Sequence, residues 1–283
     1  MKHTDNSVNQ ITEGVIWKQL LIFFFPIMLG TLFQQLYNTA DAVVVGRFVG
    51  TEALAAVGGS TGQIVNLIVN FFVGLASGAT VIIARYYGAK NQRDLNDALH
   101  TAAALSLVGG ILTTIVGIAA TPAMLRLMKT PENVMEGSQT YLSIYFAGIL
   151  FVFIYNVGSA ILRAVGDSKR PLYFLIVCCF INIFLDIVLV VFFHMGVAGA
   201  AIATVISQAV SAVLVIIVLM RSTDMYRLVP KQIRFHKFLL VSIITIGLPA
   251  GIQSIMYNIS NMIIQTSLNG LGTDTMAAYT AFG

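Results

Sequence analysis

Charge is what this sequence has least of. Only 10% of its 283 residues are Asp, Glu, Lys or Arg, whereas a water-soluble domain carries roughly a quarter. That shortage excludes an ordinary soluble enzyme or binding module. Cysteine is almost missing as well. Cys178 and Cys179 are the chain's only two, adjacent inside an apolar stretch. Neighbours of this kind rarely bridge and offer no metal-ligand spacing, so both are expected to pack or to face lipid. Catalytic signatures are absent too: there is no HExxH, CxxC, GxGxxG, P-loop or GxSxG, and each of these depends on its spacing to assemble a site. His3, His100, His194 and His236 all fall at helix ends or loops. Neither an enzyme nor a cofactor is expected.

What the chain does have is apolar length. It is 57% hydrophobic, with a mean hydropathy of +0.86. Seven stretches, at about 19–45, 53–84, 98–120, 138–163, 171–193, 196–220 and 238–267, each approach or exceed the roughly 20 residues that cross a bilayer. Backbone polar groups must be satisfied within lipid and the stretches are too long for barrel strands, so they are helices. The expected fold is an all-α integral membrane protein, a polytopic helix bundle. The opening MKHTDNSVNQITEGVIWKQ is polar for too long to be a cleaved signal, so the first apolar stretch is expected to stay as the first helix.

The scarce charges give an orientation. With the N-terminus in the cytoplasm, the outer loops receive Arg47, Arg126 and Lys129, while the other 13 of the 16 basic residues fall inside. This bias follows the positive-inside rule and predicts a multi-pass protein of the cell (inner) membrane with a cytoplasmic N-terminus. It also removes a nucleic-acid reading, since the basic residues belong to separate short loops. The longest internal polar break, RSTDMYRLVPKQIRFHK (Arg221 to Lys237), is expected to be a solvated connector facing lipid headgroups.

A repeat divides the chain. LYNTAD (Leu36 to Asp41) matches MYNISN (Met256 to Asn261) at an offset of 220, and GTEALAA (from Gly50) matches GTDTMAA (from Gly272) at 222. Pro26 has a near counterpart in Pro249. The expected organisation is a cytoplasmic segment 1–16, a six-helix lobe 17–220, a basic linker 221–237 and the start of a second lobe at 238–283. Two equal six-helix lobes related by an axis along the membrane normal are one repeat arrangement of secondary transporters, which predicts twelve helices over roughly 450 residues for a complete pair.

Of 12 acidic residues, only Asp41 and Asp186 lie well inside apolar stretches. The fifth and sixth helices form a hairpin about the turn HMG (His194 to Gly196). Asp186 lies eight residues before it and Thr204 eight after Gly196, so both sit about 12 Å below the outer helix ends. Asp41 is near the outer end of the first helix at a similar depth, and Asn182 shares the face of Asp186 at i−4. Four polar groups from three helices are thus expected to converge. Ionised carboxylates there cost roughly 2.5 kcal/mol or more each, so the pair needs either a shared proton or a bound cation, for which hard oxygen ligands are suited. The competing structural reading is a hydrogen-bond network that only joins helices. Gln34, Tyr37, Asn38 and Asn156 are candidates for lining a cavity, with helix–helix glue as their alternative. GLASG (Gly74 to Gly78) and GVAGAA (Gly196 to Ala201) read as close-packing faces.

PIMLGTLFQQLYNTADAVVVGRFVGTEALAAVG (Pro26 to Gly58) resembles the first helix and outer loop of the multidrug and toxic compound extrusion (MATE) family. LRAVGDSKRP (Leu162 to Pro171) is similar to that family's loop between helices 4 and 5. NIFLD with GVAGAAIAT (Asn182 to Asp186, Gly196 to Thr204) is similar to its helix 5–6 hairpin. The resemblance implies a twelve-helix, two-lobe antiporter that expels amphipathic, often cationic compounds in exchange for H⁺ or Na⁺ and is monomeric when complete. By similarity to the prokaryotic branches, Asp41, Asn182, Asp186 and Thr204 would be the first-lobe ion site. Pro26 would be the hinge at which ion binding bends the first helix. A lipid or lipid-linked oligosaccharide flippase is the alternative. Such a protein should line its cavity with Arg or Lys, whereas here the basic residues are all expected at helix ends.

Overall fold

The structure, a computed structural model, describes residues 16–128 and 130–269. The expected cytoplasmic segment (except residue 16) and the GTDTMAA half of the second repeat match therefore lie outside the described residues. Helix α1 (Ile16–Phe48) is followed by α2 (Thr51–Gly58), α3 (Ser60–Gly88), α4 (Gln92–Leu127) and α5 (Glu132–Ala164). Then come α6 (Lys169–Asp186), a π-helical segment Ile187–Phe192, α7 (Gly196–Arg221), a 3₁₀ turn at Pro230–Gln232 and α8 (Lys237–Asn269). The described residues contain no strand and seven spans long and apolar enough to cross a membrane. The chain is a multi-pass α-helical membrane protein.

Burial ranks the helices. Most of the apolar stretch of α5 is buried and most of that of α1 is exposed, so α5 is the central column and α1 an outer wall of the described bundle. Helices α4, α7 and α3 pack around α5, while α1 packs chiefly on α6. Leu142, Phe146, Ile149 and Phe153, all on one side of α5, are fully buried in one apolar cluster. One face of α1 exposes Leu20, Phe24, Met28 and Leu32.

The stretch 53–84, expected as one helix, is two. The chain breaks at Gly59 (φ −70°, ψ −120°), where an added Cβ would lie 2.6 Å from the Ala55 carbonyl oxygen. The Gly58-Gly59 pair and its weak helix propensity explain the break. GLASG does form a close-packing face. Gly74 lies against Gly251 of α8, and a Cβ at Gly78 would run into the Ile243 carbonyl and Gly247. Since overpacking costs about 1–3 kcal/mol, Gly78→Leu is expected to lower the melting temperature of the purified protein clearly. Gly88→Ala should not, because nothing lies within 4 Å of a Cβ there. Equal melting curves for the two variants would refute this packing argument.

The Arg221–Lys237 connector is exposed along most of its length, as expected, but two of its side chains are anchored in the bundle. Tyr226 is 1% exposed and Leu228 is buried in the same cluster as Leu99 and Leu162. His100 of α4 is the staple: Nδ1 donates to the Asn96 carbonyl (2.7 Å) and Nε2 accepts from the Val229 amide (3.0 Å), an arrangement that selects the Nδ1–H tautomer. Asn96 Nδ2 donates to Gln232 Oε1 (3.1 Å), and His236 Nε2 stands 3.1 Å from Asp97 Oδ1. Burial holds the Tyr226 phenol above its ordinary pKa, so it stays neutral. His100→Leu leaves the Val229 amide unpaired and is expected to cost about 1–3 kcal/mol, read by thermal unfolding in detergent. An unchanged melting point would mean that the staple carries no load.

Candidate functional site

The α6–α7 hairpin and α1 bring the four polar residues named from the sequence into one place. Their depth follows from local structure. His194, at φ 53°, and Gly196, at φ 57°, make the turn that reverses the chain. Before it, the backbone is π-helical, with the Phe193 amide donating five residues back to the Val188 carbonyl at 3.0 Å. The wider turns begin at Ile187, directly after Asp186. They bury Val190 against Val44 and Val45 of α1 while Asp186 still points inward. A π segment in a long helix frequently accompanies a functional position.

Asn182 and Asp186 are 0% exposed, Thr204 4% and Asp41 6%. Thr204 Oγ1 lies 3.4 Å from Asp41 Oδ2 and 3.0 Å from the Ala200 carbonyl. A hydroxyl has a single proton, so the two acceptors compete for it and the carbonyl is the nearer. Asp186 and Asn182 both face the Asp41 carboxylate. Among the described residues, however, Asp41 Oδ1, both carboxylate oxygens of Asp186 and both amide atoms of Asn182 have no hydrogen-bond partner. Buried polar atoms are nearly always paired, and five orphans in one cluster mark a place that can take a proton or a small cation. A network built only to join helices would satisfy its own members.

A tyrosine layer lies beside the acids. Tyr141 of α5 adjoins Thr204 and faces both Asp41 and Asp186. Tyr145 stacks parallel to it, with centroids 6.2 Å apart and planes at 11°. Tyr37 of α1 faces Asp41, Tyr141 and Tyr145. Only Tyr37 is singled out by the sequence; Tyr141 and Tyr145 carry no signal beyond their i, i+4 spacing.

Below Tyr37 and Tyr145 a cavity of about 130 Å³ runs between α1 and α5. Gln34, Tyr37 and Asn156 line it, as does Pro26. Asn38 does not: one residue turns an α-helix by about 100°, which carries Asn38 from the buried face of Tyr37 to an exposed one. Arg163 falls at a helix end, as expected, but its side chain adds a feature that the sequence did not show. It stands in the last turn of α5, yet its side chain lines the cavity instead of leaving it. A basic residue can thus stand at a helix end and still line the cavity.

Among the described residues, seven membrane-length spans with a buried pair of carboxylates and a cavity lined by polar side chains define a polytopic membrane protein with polar groups held in its interior. The MatE family model matches residues 26–188, and the chain belongs to that family. It is similar to the probable multidrug resistance protein YoeA of Bacillus subtilis, 34% identical over 272 residues, which cover 93% of this chain and 58% of that protein. The multidrug export protein MepA of Staphylococcus saprophyticus is 24% identical over 275 residues, covering 97% of this chain and 61% of that protein. A crystal structure of MATE in the bent conformation superposes with a TM-score of 0.89 at 28% identity, over 97% of this chain and 61% of that one. The chain thus spans about three fifths of the length of the relatives it matches. Membership assigns it to a family of transporters, not of enzymes.

Proposed function

We propose that the full-length protein is a secondary active multidrug efflux antiporter. It exports amphipathic, mostly cationic compounds in exchange for H⁺ or Na⁺ by alternating access, as a monomer in the cell membrane with its N-terminus inside. Relatives named for multidrug resistance and export support the efflux reading. The observation that carries the ion coupling is the set of five orphan atoms on Asp41, Asn182 and Asp186, with Thr204 beside them. Proton or cation binding at Asp41 removes one negative charge from that cluster. The change passes along α1 toward Pro26, where the missing backbone donor weakens the helix, and bending there shrinks the cavity between α1 and α5. Residues 17–220 act as the first lobe, and α8 opens the second. No cofactor takes part. Tyr37, Tyr145 and Tyr155 around the cavity suit organic cations, which are attracted to aromatic faces.

Drug efflux from proteoliposomes of the full-length protein, under a pH gradient and a sodium gradient imposed separately, tests this reading. Efflux driven by one gradient and not the other is expected; no gradient-driven efflux overturns the antiporter. A lipid or lipid-linked oligosaccharide flippase is the second reading, and Arg163 in the cavity lining favours it. Translocation of a labelled phospholipid in the same vesicles, without drug efflux, would decide for it.

A further inference from the structure

The mouth of the cavity has a chemistry of its own. Arg163 reaches it from the last turn of α5, and Ser168 from the position before α6. Ser168 is only 5% exposed, and its hydroxyl neither caps α6 nor hydrogen-bonds to any described residue. Arg163 is partly buried and makes neither a hydrogen bond nor an ion pair among the described residues. The nearest acid in sequence, Asp167, is taken: its Oδ2 lies 3.3 Å from Arg170 Nε, and its Oδ1 accepts the Arg170 amide at 3.1 Å. Gln208 of α7, 7% exposed and also without a hydrogen-bond partner among the described residues, lines the same space. No Asp or Glu does. A guanidinium has five donors and no acceptor, and leaving them unmade in a partly dehydrated place is costly.

We infer that Arg163 and Ser168 form an oxyanion subsite at the cavity mouth, which takes the carboxylate or phosphate of an amphipathic molecule while its apolar part lies toward Pro26 and Leu175. The guanidinium fork offers two parallel N–H donors to two oxygens of one group, and the Ser168 hydroxyl offers a third. The first amides of α6 add a favourable dipole at the same end. The oxyanion belongs either to a transported compound or to a phospholipid headgroup drawn in from the membrane. The inference rests on reading this cavity as part of the transport path, and it extends the cargo from cations to molecules carrying an anionic group.

Isothermal titration of decyl phosphate into the purified full-length protein, in an uncharged detergent, tests the subsite. Saturable binding is expected, weakened at least tenfold in Arg163→Gln and by a smaller factor in Arg163→Lys, which keeps the charge but lacks the fork. Ser168→Ala, the change least able to disturb folding, should weaken it about threefold. Absence of binding, or equal affinity in wild type and Arg163→Gln, overturns the subsite. Two further arms identify the source of the oxyanion, and either result is compatible with the subsite. Displacement of decyl phosphate by phosphatidylglycerol in nanodiscs assigns the site to headgroups. Displacement by decanoate but not by that lipid assigns it to cargo. Ethidium efflux from wild-type proteoliposomes is measured in parallel. Its absence alongside intact decyl phosphate binding would overturn the antiporter and leave the subsite standing.

Discussion

Asp41→Asn in the full-length protein is expected to reduce gradient-driven drug efflux to the background of empty vesicles, with folding intact. The side chain keeps its shape, so Thr204, Asn182 and Asp186 retain a neighbour of the same size. What it loses is the ability to change charge. A buried carboxylate costs about 2.5–3.5 kcal/mol at the centre of a helix, and here two acids face each other with three carboxylate oxygens unpaired. Removing one acid relieves that repulsion, so the melting temperature of Asp41→Asn should equal or exceed the wild-type value. Loss of transport with retained stability is the signature of a working group; loss of both would point to a structural one. Asp186→Asn should behave alike, and the double substitution no worse than either single one, since the acids act as one unit. Wild-type efflux rates in the double mutant would remove the site from the mechanism.

The acid pair was legible because acids are so rare inside the spans that two of them stand out. The common depth was legible because Asp186 and Thr204 lie equally far from the turn at His194 while Asp41 lies near the outer end of the first helix. The spans were legible because lipid demands length and hydropathy of every crossing helix. Several features were not legible, each for a physical reason. The π segment after Asp186 changes the turn geometry without changing composition, so Val-Leu-Val-Val read as ordinary helix. Tyr141 and Tyr145 look like any aromatics in an apolar stretch, and only the packing of α5 beside α7 turns Tyr141 toward Thr204. The connector is exposed over most of its length, as its charge implies, but the burial of Tyr226 and Leu228 within it was not legible. Its anchor, His100, lies 129 residues from Val229 in sequence, and no local pattern reports such a contact. Arg163 was placed correctly at a helix end, but that end faces the cavity. Position along a helix was readable there, while direction around it was not.

Pro26→Ala is expected to slow drug efflux by at least tenfold while leaving drug binding within about twofold. Proline inside a helix costs about 3 kcal/mol relative to alanine, because it removes one backbone donor and crowds the preceding turn. Alanine restores the donor and straightens the energetics, so α1 becomes stiffer and the protein no less stable. The segment around Pro26 has further soft points. Gly30 lies one turn on, the Thr31 hydroxyl bonds back to the Ile27 carbonyl at 3.2 Å, and the Thr39 hydroxyl bonds back to the Gln35 carbonyl at 2.9 Å. Back-bonding of this kind often bends helices. Leu21 and Phe25 of α1 are each 56% exposed, so bending there disturbs little packing within this chain. Pro26 lines the cavity, and Asp41 lies 15 residues along the same helix, about 22 Å away. Pro249 of α8 is the internal control. Its repeat carries Asn261 where α1 carries Asp41, so Pro249→Ala should slow efflux far less. Equal effects of the two substitutions would mean that proline matters for insertion or packing in general, and that α1 has no hinge tied to its acid.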